Sequence, residues 1–152
     1  MVTLYNVISD DGFIARLDGS EDFIPDESWP ETLEFFRKFD TLIMGHKTYD
    51  AIQEYPEELL RPFEALPIQK VIVTSDATFL PKVGYDVAHS PKEAIEMGKN
   101  VVVSSGPMLN NFLLAMGMVK RIVLRKVPQS LNAGIRPFNL DKGSLVAIDY
   151  IN

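Results

Sequence analysis

Short apolar runs separated by polar, helix-forming stretches give this chain its hydrophobic pattern. Residues 42–44 and Val101–Val103 are apolar without alternation, which is typical of strands covered on both faces. The predicted strands are Val2–Ile8 and residues 41–44, 70–74, 101–103 and 121–127. A final run, residues 145–151, mixes β-branched and polar residues and predicts an edge strand that closes the sheet.

Helical spacing appears between these runs. Apolar and small positions Thr32, Phe35, Phe36 and Phe39 recur at i, i+3, i+4 and i+7, so a helix is predicted over residues 28–39. Further helices are predicted after Thr48, after the Ser-x-x-Glu capping sequence at residues 90–93, and over residues 107–116. Strands that alternate with helices indicate an α/β domain with a mainly parallel sheet.

Composition narrows the class of protein. With 152 residues, we expect one domain spanning residues 1–152. The net charge of −6 argues against a nucleic-acid partner, and the absence of cysteine excludes disulfides and thiolate chemistry. The two histidines, His46 and His89, lie too far apart in sequence to indicate a metal site. No apolar run approaches membrane-spanning length, so we expect a cytoplasmic protein, either a monomer or a homodimer, with a small-molecule partner and no membrane partner.

The segment at residues 41–49 is the strongest candidate for anion binding. An apolar run ends at Gly45 and is followed by His46, Lys47 and Thr48, where a helix would begin. A strand that feeds a helix N-terminus offers free backbone N–H groups to a phosphate, and glycine allows close approach. The alternative is an ordinary strand, turn and helix, which has the same appearance.

A second junction of the same kind follows the run Val101–Val103. Its turn holds Ser104, Ser105 and Gly106, and Pro107 suits the first turn of a helix. Two such junctions on one sheet would hold the two ends of a pyrophosphate. The alternative is that small residues only permit tight packing of strand against helix.

A third strand end offers the hydroxyls of Thr74 and Ser75 to a ribose phosphate. Asp76 follows at once, and its carboxylate would repel a 2′-phosphate or bind a ribose 2′-hydroxyl. The alternative here is an ordinary Ser/Asp turn.

The acids near the start of the first helix are the candidates for proton chemistry. Glu31 shares a helix side with Phe35, and burial beside an aromatic wall would raise its pKa. Glu27 is the second candidate. The alternative is that residues 28–31 form a capping box in which Glu31 is structural. Arg125 interrupts an apolar strand and either lines a cleft or caps a solvent-facing position.

Taken together, these motifs resemble the dihydrofolate reductase superfamily, including the reductase domain of riboflavin biosynthesis. The resemblance covers most of the chain and rests most firmly on Ile-Met-Gly-His-Lys-Thr-Tyr at residues 43–49. Supporting segments are Asp-Gly-Phe-Ile-Ala at 11–15, Phe-Ile-Pro at 23–25, Val-Ile-Val-Thr-Ser at 71–75, Ser-Ser-Gly at 104–106 and Asn-Ala-Gly-Ile-Arg-Pro-Phe at 132–138. The implied fold has three layers: a central, mainly parallel sheet with an antiparallel C-terminal edge strand, and helices on both faces.

The resemblance implies a reductase that uses NADPH. The implied cofactor contacts are Gly45, His46, Lys47 and Thr48 at the pyrophosphate and 2′-phosphate, Thr74 and Ser75 at the adenosine, Ser105, Gly106, Pro107 and Met108 at the second pyrophosphate edge, and Ile14 and Ala15 at the nicotinamide. The helix acid matches Glu31 when Phe35 is aligned, and Glu27 when residues are counted without a gap. The implied substrate cleft includes Val7, Phe35 and Ile52, with Arg125 as a further candidate.

Departures from the family pattern bear on the substrate and the cofactor. His46 stands where folate reductases usually have an arginine that grips the 2′-phosphate, and histidine is only partly charged at neutral pH. The serines at the second junction replace a glycine pair usually joined by a cis peptide bond. Gln69 falls where an arginine clamps the folate glutamate, and Arg61 would substitute only if its loop folded over the cleft.

Three functional hypotheses follow from these residues. The first is NADPH-dependent reduction of dihydrofolate to tetrahydrofolate, with Glu31 or Glu27 fixing the pterin ring. The second is a riboflavin-type pyrimidine reductase acting on a ribosylamino-uracil phosphate, with which Gln69 is compatible. The third is a nucleotide-binding module that has lost turnover, which the serine-for-glycine junction and the missing arginines suggest.

Overall fold

A parallel β-sheet organises the fold of the described residues, which are 1–139 and 146–152 of a computed structural model. Its seven strands lie in the order β4-β3-β2-β5-β1-β6-β7, and every neighbouring pair is parallel. The strands are β1 (Val2–Ile8), β2 (Thr41–Gly45), β3 (Gln69–Val73), β4 (Asp86–Ala88), β5 (Val101–Val103), β6 (Arg121–Lys126) and β7 (Ile148–Ile151). The helices are α1 (Ser28–Phe36), α2 (His46–Gln53), α3 (Glu57–Glu64), α4 (Pro91–Glu96) and α5 (Pro107–Ala115).

The direction of the crossovers decides which face each helix covers. The connections through α1, α2 and α3 lead from β1 to β2 to β3, toward one edge of the sheet, whereas α4 and α5 lead back through β5 to β6. Parallel crossovers are almost always right-handed, so helices on paths of opposite direction cover opposite faces. A crevice opens between such paths at the carboxyl ends of the strands.

Two apolar cores confirm the three-layer arrangement. Side chains of α1, α2 and α3 pack in one core with Leu42 and Met44 of β2, and side chains of α4 and α5 pack in the other with Ile43. The consecutive residues of β2 thus alternate between the two cores, and all three are almost fully buried. The unalternating apolar runs of β2 and β5 therefore have the cause the sequence indicated: both faces of the sheet are covered.

The last strand corrects one part of the predicted fold. The α/β class and the helices on both faces are confirmed, but β7 pairs with β6 in parallel, with Ile122 opposite Ile148 and Arg125 opposite Ile151. The predicted antiparallel edge strand is therefore wrong. A parallel return needs a crossover of a dozen or more residues, and the connection from residue 127 to residue 147 is long enough. Of the predicted run 145–151, residue 145 lies outside the described residues.

Local signals explain the other differences from the predicted elements. The strand β4 is too short to form an apolar run, and α3 contains Pro62, which reads as a helix breaker. The helix α1 ends at Phe36 instead of residue 39, although Phe39 stays buried as its spacing predicted. The capping box at residues 28–31 does not form, because the Ser28 hydroxyl donates to the carbonyl of Pro25 instead, at 2.8 Å.

Leucine-to-alanine changes at a buried and an exposed position test the assigned core. Leu4 is fully buried in β1, so we expect Leu4→Ala to lower the free energy of unfolding by about 2–5 kcal/mol through lost burial and a residual cavity. Leu80 is 90% exposed, and Leu80→Ala should change it by no more than about 0.5 kcal/mol. Urea denaturation measures both; equal losses at the two sites would contradict the placement of β1.

Candidate active site

A cavity of about 340 Å³ lies where three central strands end. Its wall includes Asn6 and Val7 of β1, Lys47 and Thr48 at the start of α2, and the turn at residues 104–107 between β5 and α5. Because β2, β5 and β1 are neighbours in a parallel sheet, their carboxyl ends meet at one edge. The cavity therefore occupies the crevice at which the crossovers diverge.

The two glycine-containing junctions predicted from the sequence meet on this wall. Gly45 is the N-cap of α2 and Gly106 that of α5, and neither helix start receives a side-chain capping bond. The backbone N–H of Gly45 donates to Ser105 Oγ at 3.0 Å, which joins the junctions directly. A Cβ atom added to Gly106 would meet nothing within 4 Å, so open space adjoins the backbone there. Both helix starts consequently offer backbone donors to a ligand.

Buried amides hold the second junction in place. Asn6 Nδ2 donates to the carbonyl of Ser105 at 2.8 Å, and Asn110 Nδ2 donates to Asn6 Oδ1 at 3.0 Å and to the carbonyl of Pro137 at 2.9 Å. The described residues contain no cis peptide bond, so the serines at 104–105 do not keep the one usual at this place in the family. Sequence reasoning missed both asparagines; the available signal was a lone amide inside the apolar run of β1.

The third strand end lies beside the cavity and does not contribute to its wall. Thr74 is buried, its hydroxyl lies 2.9 Å from His46 Nδ1, and its carbonyl accepts a hydrogen bond from His89 Nδ1 at 3.0 Å. Asp76 has a lowered pKa, first through the hydrogen bonds of Thr78 and then through the two histidines. Ser75 is exposed. Both histidines thus meet at Thr74, which their distance in sequence did not suggest.

The loop after β1 is bound to the late glycine-containing segment. Ile14 donates to the carbonyl of Ile135 and Ile135 donates to that of Ala15, each at 2.8 Å. Asp11 accepts from the Ser9 hydroxyl at 2.7 Å and from the N–H groups of Leu131 and Asn132. These bonds hold Ile14 and Ala15 on the cavity wall.

The helix acids do not reach the cavity. Glu31 Oε2 lies 2.8 Å from Arg125 Nη1, and Arg125 Nε donates to Tyr5 Oη at 2.8 Å. The Tyr5 hydroxyl in turn lies 2.8 Å from Thr32 Oγ1, so this chain of contacts ties β6 to α1 through β1. Arg125 is 10% exposed and belongs to the protein interior, away from the cavity wall. Glu27 is the N-cap of α1 and is also absent from the wall.

An acid that the sequence reasoning did not consider does line the cavity. Glu21, from the loop before α1, lies on the wall together with Trp29 and Tyr55. Desolvation raises the pKa of Glu21, although the residue as a whole is exposed to solvent. Burial, and then the negative charge of Glu21, raise the pKa of Tyr55 to about 12. No pattern singled out Glu21; only its position in a long loop was available as a signal.

The structure thus brings together part of the predicted site. On the cavity wall are Val7, Ile14, Ala15, Lys47, Thr48, Ile52, Ser105, Gly106 and Pro107. Close beside it are Gly45, His46 and Thr74, through the contacts described above. Away from the wall are Glu27, Glu31, Phe35, Ser75, Met108 and Arg125; Phe35 packs edge-on against Tyr5 in the core, and Met108 is 87% exposed.

Comparison with solved structures gives the fold class. A dihydrofolate reductase of Enterococcus faecalis complexed with NADP(H) aligns with a TM-score of 0.66 at 17% identity, covering 93% of this chain and 79% of that one. A Shewanella sp. PV-4 protein described as a riboflavin biosynthesis protein aligns at 0.65 and 18% identity, covering 91% and 82%. A Thermotoga maritima diaminohydroxyphosphoribosylaminopyrimidine deaminase/5-amino-6-(5-phosphoribosylamino)uracil reductase aligns at 0.64 and 15% identity, covering 90% of this chain and 47% of that one.

The chain therefore has the dihydrofolate reductase-like fold that its motifs indicated. In sequence, the uncharacterized protein YwjB of Bacillus subtilis (strain 168) is 25% identical over 145 residues, covering 90% of this chain and 81% of that protein. No protein-family model matches the chain. Among the described residues, no helix has the length and apolar character needed to cross a bilayer.

The lowered pKa of Asp11 leads to a prediction about how the stability of the protein depends on pH. The bond from the Ser9 hydroxyl, followed by those from Leu131 and Asn132, lowers the pKa from its ordinary value of 3.8 to about 2. A carboxyl whose pKa is lower in the folded state stabilises the protein above the unfolded pKa and loses that effect as pH falls through the folded pKa. We expect Asp11→Asn to lower the melting temperature at pH 7, and the difference from the parent to shrink from about pH 4 downward.

Thermal unfolding followed by circular dichroism at several pH values measures this difference. Asp10→Asn is the matched control, since it neutralises the neighbouring carboxyl, which accepts none of the bonds formed by Asp11. A difference for Asp11→Asn that stays constant down to pH 2 would contradict the assigned role.

Proposed function

We propose that this chain is an NADPH-dependent reductase whose substrate carries a planar nitrogen heterocycle. The observation that supports the proposal best is the meeting of two uncapped helix N-termini at the bond between Gly45 and Ser105, on the wall of a cavity at the carboxyl ends of the strands. That arrangement is how α/β folds bind the pyrophosphate of a dinucleotide.

The donor set at this end of the cavity fits such a pyrophosphate. Lys47 adds an ammonium group and Thr48 a hydroxyl, and no salt bridge engages Lys47 within the described residues. The net charge of −6 would repel an anionic cofactor at long range, so this local cation is needed. Open space beside Gly106 leaves its backbone accessible.

The apolar part of the cavity wall would suit a nicotinamide ring and a flat substrate ring beside it. When bound, the cofactor supplies a hydride, which passes to the carbon of a C=N or C=O bond while a proton reaches the heteroatom. The apolar side chains of Val7, Ile14 and Ile52 on the wall would hold two flat rings against each other and exclude water. The residues of this chain would thus position the two rings and exclude water, while the cofactor would supply the hydride.

Preference for the phosphorylated cofactor rests on the histidines beside the cavity. His46 and His89 meet at Thr74, and Lys47 follows His46 directly. The ammonium group of Lys47 would give a 2′-phosphate local positive charge, and the imidazoles would offer it hydrogen-bonding groups. The Asp50 carboxylate, 3.7 Å from His46 Nε2, would compete for that nitrogen. NADPH is therefore the first cofactor to test, with NADH beside it.

The described wall of the cavity has little positive charge to bind an anionic tail of a substrate. Gln69 lies at the start of β3, at the opposite end of the strand from the cavity, and donates to Asp86. Arg61 lies 3.3 Å from Glu57 and is absent from the wall. Lys47 is the only lysine or arginine among the described residues that line the cavity. The glutamate of folate and the phosphate of a ribosylamino-uracil would both lack a lysine or arginine partner there apart from Lys47, so both substrates are tested.

A paired assay tests the proposal. Purified protein is first titrated with NADPH and NADH by fluorescence, and oxidation at 340 nm is then followed with dihydrofolate and with a ribosylamino-uracil phosphate. The proposal expects NADPH binding and turnover of at least one substrate. Binding without turnover of either would favour a nucleotide-binding module, and absence of cofactor binding would overturn the proposal.

The proposed contact between the Lys47 ammonium group and the cofactor leads to a prediction about the Kd for NADPH. We expect Lys47→Gln to raise the Kd for NADPH about tenfold, because a charge-assisted bond to phosphate is lost. Lys92→Gln is the matched control, since Lys92 is exposed on α4 and does not line the cavity. Isothermal titration calorimetry measures both; equal affinities in the two variants would refute the assigned contact.

A further inference from the structure

We infer that the outer face of α5 binds the α5 of a second copy of this chain, in a homodimer whose twofold axis passes at Phe112 and whose two α5 helices run antiparallel. The inference goes beyond the proposed function and does not depend on it, because the surface concerned lies outside the cavity wall.

The helix α5 is apolar on its outer face as well as on the face that packs in the core. Leu113 is buried in the core, whereas Met108, Phe112 and Met116 (the C-cap) are 87%, 44% and 57% exposed. Residues four apart on a helix are neighbours, so these three side chains form one continuous surface, called here the α5 stripe. A surface helix normally has a polar outer face, and a helix that is apolar all round is normally covered.

The absence of charge distinguishes α5 from the other helices. Residues 107–119 contain no aspartate, glutamate, lysine or arginine. Among the described residues, each of the other four helices exposes charged side chains: Glu31 and Glu34 on α1, Lys47 and Asp50 on α2, Glu57, Glu58 and Arg61 on α3, and Lys92, Glu93 and Glu96 on α4. A contact through α5 therefore desolvates no charged side chain of that helix, whereas a contact through any of the others would.

The net charge of the chain limits how two copies can meet. Each copy carries a net charge of −6, so two copies repel each other at long range. Because α5 brings no charged side chain into the contact, it adds nothing to this repulsion at close range. An antiparallel arrangement also places the positive end of each helix dipole beside the negative end of the other.

The order of residues in the α5 stripe indicates that its partner is another copy of itself. A methionine lies four residues before Phe112 and another lies four residues after it, so the stripe is the same in either direction. A twofold interface is self-complementary, since residue i of one copy contacts residue j of the other and the reverse. With antiparallel helices, Met108 of each copy faces Met116 of the other, and the two Phe112 rings meet at the axis.

The side chains of the α5 stripe suit such a contact. Methionine is flexible and polarisable and makes favourable contacts with aromatic rings. Aromatic residues and methionine are enriched at the centres of protein interfaces, where charged residues are depleted. Ala115 and Gly117 are exposed next to the stripe and have little bulk, so they allow the two helices to approach closely.

The size of the α5 stripe indicates the strength of the dimer. The helix advances about 12 Å from residue 108 to residue 116. A stable interface buries about 800 Å² on each partner, and three side chains supply only part of that area. We therefore expect a concentration-dependent dimer with a Kd on the order of 10 μM.

Sedimentation of the full chain without cofactor, from about 1 μM to about 500 μM, tests this inference. We expect the mass to rise from the 17.1 kDa of one chain toward twice that value. Met108→Lys and Met116→Glu should each raise the Kd of the dimer at least about tenfold, because each buries an unpaired charge against a methionine. Leu80→Lys is the matched control, since Leu80 is 90% exposed in the loop between β3 and β4, and its Kd should stay within about twofold of the parent.

The variant that carries both Met108→Lys and Met116→Glu tests the antiparallel arrangement. In this variant the introduced lysine of each copy faces the introduced glutamate of the other, so we expect the Kd to return to within about threefold of the parent at low salt and to rise with added salt. In a parallel arrangement like charges would meet, and the double variant would dimerise more weakly than either single variant. Circular dichroism melts confirm that each variant is folded.

A parent protein that stays monomeric over the whole concentration range would overturn the inference. Co-sedimentation of that monomer with phosphatidylcholine vesicles would then assign the α5 stripe to a lipid surface instead. A dimer that neither single substitution weakens would also overturn the inference, because another surface would hold the copies together. So would a double variant that dimerises more weakly than both single variants. None of these outcomes bears on NADPH binding, so the proposed function is tested separately.

Discussion

The hydrogen bond from the backbone of Gly45 to Ser105 Oγ is the contact on which the cavity depends. It joins the end of β2 to the turn after β5, and through the carbonyl of Ser105 it reaches Asn6 on β1. Three neighbouring strands and two helix starts are thereby held in one arrangement. The divergence of the crossovers opens the crevice, and this bond fixes the backbone donors that face into it.

Charge is distributed so that, among the described residues, this acidic chain keeps one cation without a salt-bridge partner on the cavity wall. The interior cation Arg125 is paired with Glu31 and bonded to Tyr5, so its charge stabilises the packing of β6 against α1 and is unavailable to ligands. Lys47 lacks such a partner within the described residues and faces the cavity. An ion pair elsewhere in the fold therefore decides which charged side chains remain for binding.

The fold was predictable to the extent that local pattern reports burial. The unalternating runs of β2 and β5 indicated a sheet covered on both faces, and the spacing of Thr32, Phe35, Phe36 and Phe39 indicated the buried face of α1. The direction of β7 was not predictable in this way. Strand orientation is set by the path of the connecting segment, and the residues of a strand show the same apolar pattern whether the strand runs parallel or antiparallel to its neighbour.

By itself, the sequence determined the two glycine-containing strand–helix junctions, since glycine, hydroxyl and cation at a strand end are local features. It also determined the dihydrofolate reductase-like fold. Only the tertiary structure decided which acid faces the cavity. The sequence indicated Glu31 and gave no signal for Glu21, but Arg125, far along the chain, engages Glu31, and Glu21 lies on the wall. Such a choice depends on a contact between residues distant in sequence, and no local pattern encodes it.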